Sequence, residues 1–507
     1  MSIGPQPALT RADRYQAALA LYSNGRFLDA LTILLPLLEP GEPDKATVAE
    51  TLNLAAACSL SLDRKTDAEM YWRQAIRLKP DYDQAHYNLG VLLHGIGRWD
   101  EAESSYRQAL AIRPDYLDAR HNLCALLKTR DRLLDAEAVC REALVLLPDS
   151  AVIHHDLGTV LMDLGRLHEA EAAYRKALAT QPGYADAKAK LGALMLATGR
   201  FAEGWPLYEA RYDKTLTDRT SFAPEFTYPQ WRGESLEGKA VLVWQEQGFG
   251  DMIQFGRYLA LLKARGAAWI TLACAPVLHG LFGTLAYLDA VVDGQSELAR
   301  AEYDFWTLPL SIPFRLGTTV ESIPSAVYLK PSAELVAKWR ERLAPLTGLR
   351  VGLVWKGHPG HGNDAHRSLP SLETLAPLLS LPGVSFVSLQ KEQGENELQS
   401  LGAYRRVLDL AGDIHDFADS AAVIAQLDLV VCVDTAVAHL AGGLGKPCWV
   451  LLPASGTDWR WMRERTDSPW YPGTTRLFRQ SRAGDWVSVV EEVAKACADD
   501  AAAMECR

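Results

Sequence analysis

Eight cysteines (Cys58, Cys124, Cys140, Cys274, Cys432, Cys448, Cys497 and Cys506) form no C-x-x-C pair and no metal-ligand spacing. That pattern excludes a zinc ribbon and a disulfide framework. Several of them sit inside apolar stretches, so they read as buried thiols in a reducing compartment. No stretch approaches about 18 uninterrupted apolar residues, and no membrane-spanning helix is expected. The opening MSIGPQPALTRADRYQ lacks both the basic n-region and the apolar core of a signal peptide, so a cytoplasmic protein is expected. Basic charge is in deficit as well: 52 Lys and Arg stand against 63 Asp and Glu, a net charge of −11. A broad phosphate-binding surface, and with it a nucleic-acid partner, is disfavoured.

What the chain does have is length, 507 residues, with 48% apolar and 23% charged residues. That is ordinary for a folded protein and too long for one core, so two to four domains are expected. Aligned on itself, the first part repeats every 34 residues, with copies starting at Asp83, Leu117, Ala151 and Ala185 and more divergent copies from Ala49 and, 38 residues before it, Arg11. The eighth position is small throughout (Ala18, Ala56, Gly90, Cys124, Gly158, Gly192), as is the twentieth (Ala30, Ala68, Ala102, Ala136, Ala170, Gly204). Small residues there let two helices of a hairpin approach closely. The twenty-fourth is bulky in most copies (Trp72, Tyr106, Tyr174, Tyr208), which predicts a ring filling the gap to the next hairpin. Pro80, Pro114, Pro148 and Pro182 end the second helix at equal intervals. The period and pattern resemble tetratricopeptide repeats over residues 11–211.

Such arrays stack into a solenoid whose concave face binds peptides, and assembly of copies through the repeats is a second possible use. Asn88, Asn122 and Asp156 occupy equivalent positions on the first helix of successive copies. Amides there suit a peptide backbone, similar to the asparagine ladder of O-linked N-acetylglucosamine transferases. Plain repeat consensus explains the same residues, and Lys190 breaks the series. The last copy departs from the pattern at Pro206 and Arg211, so FAEGWPLYEARY is expected to cap the array and dock on the second half of the chain. A Pro-, Thr- and Ser-rich linker occupies 212–238.

From residue 239 the pattern changes to apolar runs alternating with helical segments. AVLVWQ, WITLACA, AVV (290–292) and YDFWTL read as strands of a first lobe, 239–335. RVGLVWKG, VSFVSLQ, LDLVVCV and PCWVLLP read as strands of a second lobe, 346–490, followed by a tail, 491–507. Alternation at this spacing predicts parallel β-α-β units, hence two Rossmann-like lobes with ligands at the carboxyl ends of the strands. The expected fold class is an α-solenoid followed by an α/β unit of two lobes.

The motifs lie at those strand ends. Asp434 and Thr435 follow LVVCV and open the helical segment AVAHLAGG, whose free amides and partial positive charge suit a diphosphate. Ala436 would add an amide, and His439 lies one turn on. An N-cap aspartate and a packed core histidine are the competing reading. In this order, LVWQEQGFGDMIQF and DTAVAHLAGGLGKPCWVLL resemble the two lobes of heptosyltransferase-like GT-B glycosyltransferases, over about 240–480. Ala436 stands where that family has glycine.

The resemblance implies a metal-independent, inverting transfer of sugar from a nucleotide-sugar donor. No D-x-D motif stands at a strand end, in keeping with that. Asp251, after Gly248 and Gly250, corresponds to the family's base; N-cap of a helix from Met252 is its alternative role, and Glu246 is the reserve base. Arg367 matches the basic residue that clamps the phosphates, with Lys356 as a second cation. Gln390 and Lys391 fall where such folds contact base and ribose, although a surface ion pair explains Lys391 equally. His358, His361 and His366 crowd the Arg367 loop without metal-site spacing. Trp459, Trp461, Trp470 and Tyr471, interleaved with Arg460 and Arg463, either cover the nucleotide or pack the chain end.

With the repeats, the chain looks like a bacterial repeat-plus-glycosyltransferase protein of the kind linked to flagellin glycosylation. The expected acceptor is therefore a Ser or Thr hydroxyl of a bound protein. A lipopolysaccharide or small-glycan acceptor and a non-catalytic scaffold are the alternatives.

Overall fold

The computed structural model describes residues 10–38, 44–217, 223–294, 298, 302–400 and 407–505. The start of the chain, part of the linker (218–222) and Cys506 lie outside them. The chain divides into two compact units, Met1–Tyr184 and Ala185–Arg507.

The first unit is a series of helical hairpins. Its helices are Arg11–Ser23 and Phe27–Leu34, Lys45–Ser61 and Lys65–Leu78, Asp83–Gly95 and Trp99–Ile112, Leu117–Thr129 and Leu133–Leu146, and Ala151–Asp163 and Leu167–Thr180. The small eighth position is set by the twenty-fourth residue of the same copy. A Cβ at Gly90 would lie 2.7 Å from the Tyr106 ring, and one at Gly158 would lie 2.7 Å from Tyr174. The bulky residue thus packs on its own hairpin rather than only filling the gap to the next. In the copy from Leu117 both positions shrink together, to Cys124 and Cys140, with sulfurs 3.4 Å apart. All seven described cysteines are buried and free.

Successive hairpins are joined by two polar series. Arg98 bridges Glu69 (2.8 Å) and Glu101 (2.7 Å), and Arg166 bridges Glu137 (2.7 Å) and Glu169 (2.5 Å), each spanning two second helices. Single exposed pairs contribute about 0–1 kcal/mol, so these fix the relation between repeats more than they stabilise it. The second series consists of the asparagine positions. Asn88 donates to Asn53 (3.1 Å), Asn122 to the Tyr87 hydroxyl (3.1 Å), and Asp156 lies 2.8 Å from His121 Nδ1. Each contact reaches back to the preceding copy.

In the second unit the last hairpin, Ala185–Ala197 and Phe201–Tyr208, belongs to the α/β core. Pro206 stands two residues before the end of this helix and lacks the N–H that would bond the Ala202 carbonyl one turn back. Trp205 donates its indole N–H to the Thr318 carbonyl (3.0 Å), and Phe201 stacks on Trp470 at 6.0 Å.

The first sheet holds β1 (Ala240–Trp244), β2 (Trp269–Ala273), β3 (Ala290–Val292) and β4 (Phe305–Thr307), in the order β3-β2-β1-β4. From residue 223 the linker packs beside it: Trp231 N–H bonds the Trp306 carbonyl at 2.7 Å, and Phe226 and Tyr228 cover one face. The second sheet holds β5 (Leu349–Val354), β6 (Val384–Ser388), β7 (Val407–Asp409), β8 (Leu429–Val433), β9 (Cys448–Leu452) and β10 (Thr475–Arg479). Its order is β10-β9-β8-β5-β6-β7, and every pairing in both sheets is parallel. The order reverses between β5 and β8, where the strand ends open a ligand-binding crevice in sheets of this type.

Four elements depart from the sequence reading. The connector carries the helix Ala333–Leu343, and β7 and β10 are additional edge strands. The segment set apart as a tail is most of the helix Trp486–Glu505, whose Val489, Val490, Val493 and Cys497 pack on the second sheet.

Candidate active site

β1 ends at Trp244, and the helix Phe249–Phe255 starts four residues after it, with Gly248 as N-cap. Asp251 is therefore the third helical residue and not the cap of a helix from Met252. Its carboxylate accepts the Gly248 N–H at 2.8 Å, a capping role. Its other oxygen meets the guanidinium of Arg460. Arg460 also donates to Gln254 (2.7 Å) and to both oxygens of Asp458 (2.9 Å each), while lying 4.5 Å from the Trp459 ring centroid. Burial raises the carboxyl of Asp251 above the usual range, and Arg460 opposes that rise.

Opposite stands the helix Ala436–Gly443, entered from β8 through Asp434 and Thr435. Thr435 is its N-cap, yet the hydroxyl makes no cap bond and is buried without a partner. A free donor at a helix N-terminus favours an anionic ligand. The two glycine-turn motifs abut here: a Cβ at Gly250 would lie 3.0 Å from His439 Cδ2 and 3.3 Å from Ala436 Cα. The lobes therefore touch, and one hydrophobic core runs through both, including Ile253, Val430 and Ala438. His439 stacks on Trp461 at 5.1 Å, and its Nδ1 lies 2.9 Å from the Tyr471 hydroxyl. Burial holds its pKa near 3, so the ring is neutral. Gly442 is required by the same packing, since a Cβ there would fall 2.3 Å from the Tyr471 ring.

Burial, then the charge of Asp458, pushes the Asp434 carboxyl up to about 6, while Trp461, Arg367 and Arg460 pull the other way. A carboxyl raised in the fold stabilises it at low pH, and that contribution is lost as pH rises through about 6. Asp434→Asn is accordingly expected to stabilise the protein by about 2–3 kcal/mol at pH 7.5 and to be neutral only at pH 3.5, below the unfolded carboxyl's own value. Urea unfolding at the two pH values measures it, and equal effects at both would remove Asp434 as the source.

Arg367 comes from the loop after β5. Its Nε lies 3.4 Å from Asp364, and a Cβ at Gly357 would stand 2.7 Å from the guanidinium, so glycine is needed for the side chain to lie across the loop. Ser368 fixes the same turn, accepting the Gly357 N–H (2.8 Å) and donating to Asp364 (2.9 Å). The positive charge of Arg367 lowers the carboxyl of Asp434 and the imidazole of His361.

The other sequence candidates have different work. Lys356 pairs with Glu397 at 2.7 Å. Gln390 Oε1 accepts the N–H groups of Trp355 and Lys356 (3.0 Å each), and its Nε2 donates to the carbonyls of Lys356, Lys391 and Gln393. That amide holds the backbone at the ends of β5 and β6 and has no capacity left for a ligand. Lys391 donates to the Ala411 carbonyl at 2.5 Å. Glu246 is sealed in an ion pair with Arg211 (2.5 Å), which removes it as a reserve base. His358 and His361 each accept an N–H of their own turn, from Gly360 (3.1 Å) and Asn363 (3.2 Å). Trp459, Trp461, Trp470 and Tyr471 are buried and pack the two lobes together. Asn88, Asn122 and Asp156 lie in the other unit. The residues missed in the sequence are Arg460, Asp458 and Gln254, which surround Asp251; only the nearness of Arg460 to the tryptophans hinted at them.

Comparison with known proteins agrees with this organisation. Tetratricopeptide repeat models match residues 60–116 and 161–204, and the glycosyltransferase family 9 (heptosyltransferase) model matches residues 374–452. The last segment contains Asp434, Thr435, Ala436 and His439; Asp251 and Arg367 lie outside it. Protein FlbA of Caulobacter vibrioides is 32% identical over 327 residues, 59% of this chain and 53% of its own length. The chain thus spans about half the length of this curated relative. Among solved structures, a thermophilic tetratricopeptide-repeat protein of Thermus thermophilus is 25% identical, with a TM-score of 0.29, covering 37% of this chain and all of its own. A tetratricopeptide repeat protein from Parabacteroides merdae is 14% identical with a TM-score of 0.34, covering 42% and 80%. Among the described residues no helix is long and apolar enough to cross a membrane.

Proposed function

We propose that the protein is a metal-independent glycosyltransferase of GT-B type that moves a sugar from a nucleotide-sugar donor to a hydroxyl of a protein held by the repeats. The observation that carries this reading is the meeting of Gly250, the residue before Asp251, with the start of the helix Ala436–Gly443. One lobe brings a carboxylate on the residue next to that contact, and the other brings an anion-accepting helix end. The donor diphosphate sits at the Ala436 amide and Thr435 hydroxyl, with Arg367 over it, so that cationic and helix-end charge receive the leaving group. Asp251 takes the proton of the acceptor hydroxyl. That oxygen forms the new bond to the anomeric carbon as the bond to the diphosphate oxygen breaks on the far side, which inverts the centre. Neutral His439, fixed by Tyr471 and Trp461, forms the wall between the two groups.

Calorimetric titration of a panel of nucleotide sugars into the intact protein tests the donor half. One donor is expected to bind selectively, and Arg367→Ala to weaken it by about 10–100-fold, as loss of a charge-assisted contact does. No binding across the panel would overturn the reading and favour a scaffold.

The acceptor proposed is a Ser or Thr hydroxyl, with flagellin one candidate. The heptosyltransferase character of the matched model favours a second reading, a lipopolysaccharide or small-glycan acceptor. Transfer to free glycans with none to polypeptides would decide for it.

A further inference from the structure

Behind the Arg367 loop lies a second concave site that the proposed sugar transfer does not use. The loop leaves β5 at Trp355 and closes where the Leu369 N–H bonds the Trp355 carbonyl at 2.9 Å. A cavity of about 370 Å³ opens along the carboxyl ends of β5, β9 and β10 and the start of the helix Trp486–Glu505. That volume matches a small-molecule pocket.

Its polar lining is unusual. Gln480 is 6% exposed, and its Oε1 is fixed by the N–H groups of Ala454 (3.2 Å) and Gly484 (3.3 Å). The orientation of the amide is thereby set, and its Nε2 is buried with no partner. Across the cavity, Gln393 Oε1 is likewise buried without a partner. An orphaned donor and an orphaned acceptor at one cavity are costly and rare in folded proteins.

The charged groups around them are already satisfied. Lys356 is paired with Glu397, and Asp364 accepts from Ser368 and Arg367. No uncompensated charge faces the cavity from these groups, so a phosphate gains nothing there that the other side of the loop does not offer better. Trp486, Pro370 and Pro453 add apolar surface to the lining, with Ser455 and His366 polar among them. A ring with C–H faces and hydroxyls at opposite edges fits these features, a hydroxyl at one edge accepting from Gln480 and one at the other donating to Gln393.

We propose that this cavity is a carbohydrate-binding site, separate from the donor crevice, that takes one neutral pyranose unit. The unit comes either as a free sugar or as the end of a glycan already carried on a chain.

The test is saturation-transfer NMR on the full-length protein with methyl glycosides of glucose, galactose, mannose and N-acetylglucosamine, up to about 10 mM. At least one is expected to bind. Two variants keep the result tied to the cavity without threatening the fold. Ala483→Trp fills the site from an exposed position on its rim and is expected to abolish binding. Gln393→Leu removes an acceptor that bonds nothing in the protein, and is expected to weaken binding roughly tenfold. Absence of saturation transfer from every glycoside, or a signal that survives Ala483→Trp, overturns the proposal. Serine O-glycosides run alongside separate the two sources: binding tighter than the methyl glycoside assigns the site to a glycan on a chain, and equal binding to a free sugar. No turnover is involved, so this outcome stands apart from the fate of the transferase reading.

Discussion

Asp251→Asn is expected to reduce sugar transfer by about 10²–10⁴-fold while leaving donor affinity within about twofold. The asymmetry follows from the local geometry. Asparagine keeps one carbonyl oxygen for the Gly248 N–H and loses the second acceptor that Arg460 uses, but Gln254 and Asp458 still hold Arg460, so the helix start and most of the Arg460 cluster survive. The ability to take a proton is removed. Burial raises the native carboxyl above an exposed one and the charge of Arg460 opposes that rise, a balance that suits a general base. Single-turnover rates and calorimetric donor affinity, measured on the same preparations, check the split. Equal losses in both would make Asp251 a capping residue only.

The largest effect on stability is expected at Arg211. The guanidinium bonds Glu246 at 2.5 and 3.1 Å, Glu209 at 2.7 Å and Ser311 at 2.9 Å, and the Glu246 side chain is wholly buried. Arg211→Met leaves that carboxylate without its counter-charge, and removing one partner of a buried pair costs about 3–5 kcal/mol. Replacing both residues, Arg211→Met with Glu246→Met, should recover most of the loss, because the desolvation of two charges disappears with their attraction. Urea unfolding of the single and double variants measures this. A single-variant loss below about 1 kcal/mol would mean that water reaches Glu246 and that the pair is not what ties the last hairpin to the first sheet.

Glu246 also illustrates how far sequence reading reaches. It follows a strand and precedes a glycine turn, as a base would, and nothing in its neighbours announces that Arg211 neutralises it from 35 positions away. Gln390 is the same case. Its place at the end of a strand suggested a ligand contact, but an amide can serve four or five backbone groups at once, and only the folded loop shows that it does. Asn88 and Asn122 were legible as a series because they recur every 34 residues, yet the groups they bond, Asn53 and Tyr87, became evident only once the hairpins were stacked.

The sequence by itself determined the hairpins, the strands and the two glycine-turn motifs. Each is written in near neighbours: small residues and prolines at a fixed period, apolar runs of strand length, glycine and aspartate at a strand end. The tertiary structure alone decided that Gly250 touches Ala436 and His439, that Arg460 crosses 209 positions to hold Asp251, and that the terminal tryptophans are core. Those contacts depend on which strand ends the sheet order brings together. Strand order is settled by packing of whole faces, to which every residue contributes a little and no short pattern contributes enough to be read.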